Sequence, residues 1–145
     1  MDRICPLANL DSHDPKSVVT TVLRITFGLS LAFVGVSHYQ GFSGFSELVT
    51  VGLGPLTFFG SMWAFVMPAL MVVGGVLFVV HKYLHVAAWA SALALASIPA
   101  GMLLKPVIGN DPAMLSAMMG QAINAFIWLL VLAVVTTTCC CCEKK

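Results

Sequence analysis

The sequence predicts an all-α integral membrane protein, an up-down four-helix bundle with an interfacial or re-entrant element between helices one and two. Three observations carry this prediction. Four apolar stretches, at residues 17–38, 55–80, 84–104 and 113–135, are each long enough to cross a bilayer, since a hydrocarbon core of about 30 Å takes about 20 helical residues. With 59% hydrophobic residues, 9% charged residues and a mean hydropathy of +0.98, almost no chain remains for a soluble domain. The connections between segments two, three and four are short, which makes consecutive helices antiparallel neighbours. The chain accordingly divides into a polar N-terminus at 1–16, a transmembrane domain at 17–135 and a Cys-rich tail at 136–145.

Segment one contains Gly28, Gly35 and Ser37, small residues that let helix backbones approach closely. It carries Arg24 and is followed by no small-residue cleavage site, so it reads as a retained helix rather than a signal peptide. Residues 40–54 place Phe42, Phe45, Leu48 and Val49 among Gly and Ser. That stretch is too apolar for a free loop and too short to span, which makes it interfacial or partly re-entrant. Pro55 suits the first turn of segment two, and Pro68 inside that segment predicts a kink near Val66.

Segment three follows the turn His81 to His85 and offers a small-residue face at Ala88, Ser91, Ala92 and Leu95; Pro99 before Gly101 predicts a bend at its far end. Lys105 to Pro112 reads as a polar turn leading into segment four, which carries Gln121, Asn124 and Trp128. No internal repeat is evident.

Charge sets an orientation. Arg3, Lys16, Lys82, Lys144 and Lys145 share one side with the N-terminus, the second loop and the C-terminus, whereas the other two loops hold only Lys105. By the positive-inside rule both termini are cytoplasmic, in a plasma (inner) membrane. A net charge of +1 without an internal basic cluster gives no reason to expect a nucleic-acid partner. Cys5 and Cys139 to Cys142 then lie on the reducing side, where lasting disulfides are rare. Four consecutive cysteines lack the spacing of a zinc site. Beside a membrane they suit S-acylation, and they suit equally the role of small apolar residues closing a helix.

The groups able to carry chemistry are few. Arg24 is the only formal charge well inside a predicted span, and no Asp or Glu lies in any span to pair with it. Counting depth places Trp128, Ser91 and Gly74-Gly75 near its level and Asn124 about one turn deeper. Two readings are open: a cation–π contact with Trp128 or hydrogen bonds to Asn124, or a side chain that snorkels to lipid phosphates. The missing intramembrane carboxylate argues against cation-coupled transport.

At the opposite end, His38 and Tyr39 close segment one near Glu47, Lys105 and Asp111. His38 can bond a quinone carbonyl or exchange protons, while a His-Tyr pair at an interface also serves as ordinary anchoring. Met62, Met102, Met114, Met118 and Met119 gather at the same end and read as packing filler before they read as copper ligands, so no metal site is assigned. His81 and His85 are an i, i+4 pair only if their turn is helical. Val51-Gly52-Leu53-Gly54 lacks the third glycine and the βαβ setting of a dinucleotide fingerprint.

Leu23-Arg24-Ile25-Thr26-Phe27-Gly28, with Phe33-Val34-Gly35 before His38, resembles the first helix of DoxX-like membrane proteins. Phe45 to Leu48, then Gly52-Leu53-Gly54-Pro55, resembles the family's loop ending in glycine-proline, and Pro68-Ala69-Leu70 to Gly74-Gly75-Val76-Leu77 resembles its second helix. The similarity covers residues 20 to 105. One departure is the stretch Ala69, Leu70 and Met71, where many members carry an acidic residue.

The resemblance implies a four-helix membrane protein, some of whose relatives are subunits of thiosulfate:quinone oxidoreductase and others chaperone-like. The expectation is therefore a small subunit of a quinone-linked membrane redox complex, not catalytic on its own. Its cofactor pocket would draw on His38, Tyr39, Arg24, Trp128 and Asn124, and its partners would be the lipid bilayer and other membrane subunits or further copies of itself. The rival is a structural or assembly protein without redox chemistry, in which Arg24 and His38 are scaffolding.

Overall fold

A computed structural model describes residues 15–109 and 112–140. The described residues form α1 (Pro15–Gln40), α2 (Phe42–Thr50), α3 (Thr57–Val80), α4 (Leu84–Gly109) and α5 (Pro112–Cys140), with a 3₁₀ turn, Gly54–Leu56, leading into α3; no strand occurs among them. Four stretches, Val18–Gln40, Gly54–Val80, Leu84–Gly109 and Ala113–Thr138, are long and apolar enough to cross a membrane. The chain is thus a small multi-pass membrane protein. Its outward faces agree, since Phe33, Phe58, Phe65 and Leu130 are exposed as only lipid-facing side chains of this size should be.

Two helices run further than their apolar patterns. α5 continues through Thr136, Thr137 and Thr138, whose hydroxyls donate back to carbonyls one turn earlier, as helical Thr does in an apolar setting. α4 passes through both Pro99 and Pro106 to Gly109. This corrects the placement of Lys105 in a polar turn: it is helical and only 3% exposed. Its amine donates to the carbonyl of Leu48 in the last turn of α2, one of the carbonyls a helix end leaves without an internal partner. Cys5, Asp111, Cys141 and Cys142 lie outside the described residues.

α1 and α3 meet backbone to backbone. A Cβ added at Gly28 would stand 2.7 Å from the Gly75 carbonyl oxygen, and one added at Gly35 would stand 2.8 Å from that of Pro68. The pairing numbers fall on one helix as they rise on the other, so the two run antiparallel. α3 pairs with α4 in the same sense. A Cβ at Gly74 would strike the Ser91 hydroxyl, and Trp63 Nε1 donates to Ser97 Oγ at 2.9 Å. α4 then packs along α5, whereas α1 meets α5 far less extensively than it meets α3. Phe27, Leu31, Met71, Phe78, Leu95, Leu132 and Val135 fill the centre, where the Phe27 and Phe78 rings meet edge to face at 5.6 Å.

α3 ends on His81 in the left-handed conformation, φ 57°, with its backbone N–H returned to the Leu77 carbonyl. Tyr83 is left-handed too, φ 50°. The turn is therefore not helical, and His81 and His85 do not form an i, i+4 pair.

Candidate functional site: an apolar cavity at the α2 end

A cavity of about 560 Å³ lies where α1, α3, α4 and α5 diverge toward α2. That is the size of a small-molecule site. Leu31 and Val34 of α1, Phe45 and Leu48 of α2, Trp63 and Met67 of α3, Ile98 and Met102 of α4, and Ala125 and Trp128 of α5 form its largely apolar wall. Polar groups enter at a few points: His38, Ser97, Lys105, Gln121 and Asn124.

His38 is held firmly. Its Nδ1 lies 2.6 Å from the Val34 carbonyl, which can only accept, so Nδ1 carries the hydrogen. The Phe45 ring meets the imidazole edge to face with centroids 4.2 Å apart. Trp63 and Ser97 are already satisfied, because the Ser97 hydroxyl accepts from the indole and donates to the Ala94 carbonyl at 2.7 Å. Lys105 spends one donor on Leu48 and borders a second, smaller cavity of about 290 Å³ shared with Glu47, Met114 and Met118. Gln121 and Asn124 line the main cavity and are exposed at the same time, so the cavity opens along α5.

Of the five residues expected to bind a cofactor, His38, Trp128 and Asn124 line this cavity, and Tyr39 and Arg24 do not. Tyr39 turns away, with its hydroxyl donating to the Phe65 carbonyl at 2.8 Å and its ring against the Phe65 ring. Arg24 sits one turn before Gly28, toward the His81 end. It is only 7% exposed, and its Nε and Nη1 are buried without a hydrogen-bond partner. Of the alternatives open for Arg24, the hydrogen bonds to Asn124 do not form, and the Trp128 ring packs on Phe27, with centroids 5.8 Å apart. At that same end Ser91 Oγ and His81 Nε2 are likewise buried without partners.

Sequence reasoning set Lys105 near His38 but missed Trp63 and Ser97 as parts of the same site. Their only signals were an indole in one apolar segment and a hydroxyl in another. The methionines do not converge: Met102 lines the large cavity, Met114 and Met118 line the small one, and Met62 is exposed. Among the described residues no group of three or more His, Cys, Asp or Glu side chains is placed to hold a metal. No protein-family model, no curated protein and no solved structure matches the chain.

Proposed function

We propose that this protein is a small membrane subunit of a quinone-linked redox complex and that it holds a quinone-class ligand in the cavity beneath α2. The observation that carries the reading is the cavity itself. It offers an apolar volume within a membrane protein, opens along one helix, and has few polar groups, of which His38 and Lys105 stand on its wall. A ring with an apolar tail needs such a wall for most of its surface and only one or two hydrogen-bonding points for its oxygens. The resemblance of residues 20 to 105 to DoxX-like proteins supports the same assignment.

In this reading the helices form an up-down bundle, supported by the antiparallel α1–α3 and α3–α4 pairs. α2 lies in the outer interface with Phe42, Phe45 and Leu48 toward the apolar side. Both termini are cytoplasmic in the inner membrane, which puts the cavity in the outer half and Arg24 in the inner half. Electron transfer itself belongs to partner subunits.

Titration of the purified chain with a short-tailed benzoquinone tests the reading through tryptophan fluorescence. Trp63 and Trp128 line the cavity, while the exposed Trp89 is replaced by Phe to remove background. Saturable quenching is the expected result. Quenching that rises linearly without saturation overturns the reading and leaves the scaffold role standing.

A further inference from the structure

The hydrogen-bonding state of His38 decides which redox form the cavity favours. We infer that the site selects the reduced hydroquinone over the oxidised quinone, through His38 Nε2 acting as a hydrogen-bond acceptor; this inference rests on the quinone-class reading above.

The Val34 carbonyl fixes the imidazole tautomer. It receives the His38 Nδ1–H at 2.6 Å and the Ser37 hydroxyl at 2.8 Å, and a carbonyl oxygen has no hydrogen to offer in return. A neutral imidazole carries one hydrogen. With that hydrogen fixed on Nδ1, Nε2 presents a lone pair. The Phe45 ring packs against the imidazole edge to face, perpendicular to it at 88°.

The two ligand forms differ at this point. A quinone oxygen is an acceptor only, so a carbonyl set against Nε2 puts lone pair against lone pair. A hydroquinone O–H donates, and the pair closes. Lys105 does not discriminate between the forms. Its amine keeps at least one N–H beyond the bond to Leu48, and both a carbonyl and a hydroxyl oxygen accept from it. Trp63 and Ser97 are satisfied by each other and by Ala94, so neither offers a competing donor to the quinone. One hydrogen bond made in one complex and replaced by an unpaired polar contact in the other corresponds to a preference of about tenfold or more.

The test measures the midpoint of tryptophan quenching by decyl-benzoquinone and, under anaerobic reducing conditions, by decyl-benzoquinol, for the full chain and for His38→Gln. Glutamine both donates and accepts, so it has no preferred redox form. The expected result is a quinol midpoint about tenfold or more below the quinone midpoint, falling to near parity in His38→Gln. Equal midpoints, or tighter quinone binding, overturn the inference while the quinone-class reading stands. A quinol preference that survives in His38→Gln overturns the assignment to His38. Binding of neither ligand overturns the reading and the inference together. Circular dichroism of His38→Gln at the parent's melting temperature separates lost discrimination from lost fold.

Discussion

Arg24 and Lys105 are both buried cations, and their surroundings give opposite consequences on removal. Arg24 has two nitrogens without partners, and a guanidinium cannot shed its charge by deprotonation. Arg24→Met, close in length and apolar, is therefore expected to raise stability by about 1 kcal/mol or more, read as a higher melting temperature in the same detergent. A fall in melting temperature would show that Arg24 is paired in the folded protein. Lys105→Met removes the donor that satisfies the Leu48 carbonyl and should cost about 1–3 kcal/mol, with faster amide exchange in residues 42–50 as its local signature. The depth of Arg24 was legible from its place in segment one, because depth is counted along the chain. Its lack of a partner was not, since that depends on how four helices rotate about their axes. Lys105 was hidden for a different reason: its partner lies 57 residues away, and the proline after it reads locally as the end of a helix.

At the scale of elements, the α1–α3 seam is the contact most dependent on single residues. A Cβ at Gly75 would meet the Gly28 carbonyl oxygen, and the Ala32 backbone nitrogen at 2.7 Å; neither is a flexible side-chain end that can swing aside. Gly75→Ala is expected to cost about 1–3 kcal/mol, measured by thermal melting. Gly120→Ala in α5, where a Cβ meets nothing within 4 Å, should leave stability unchanged or raise it by up to about 1 kcal/mol. If both changes behave alike, the seam is not as tight as its geometry says. On the α1 side the seam was legible, because Gly28 and Gly35 stand as small residues in an otherwise large-residue span; that Gly75 is the counterpart of Gly28 on α3 was not. What Gly74 faces was hidden as well: Ser91 reads as part of a generic small-residue face, and only the register of α4 shows its hydroxyl against that glycine. The short element at 40–54 was recognisable from composition, but its split into α2 and a 3₁₀ turn depends on Gly52 and Gly54, both at positive φ.

For the molecule as a whole, the cavity is the feature least written in the sequence, because it arises from where helices part rather than from any residue run. Sequence reading placed Asn124 by depth near Arg24 and His38 at the opposite end, and joined them only as members of one expected cofactor pocket. It could not supply the apolar volume that both of them line. Gly101 lines that volume, and a Cβ there meets nothing within 4 Å, so Gly101→Leu should fill part of the cavity without straining α4. The expected outcome is loss of saturable quinone quenching with an unchanged melting temperature; retained quenching would place the ligand elsewhere. The exposure of Gln121 and Asn124 on the cavity wall bears on how binding is quantified. A ligand that enters along α5 from the lipid phase is already concentrated there if it carries an apolar tail, by its partition out of water. Occupancy is then governed by the mole fraction of ligand in lipid, so a site whose contacts are individually weak can stay filled, and exchange is paced by diffusion in the plane of the membrane.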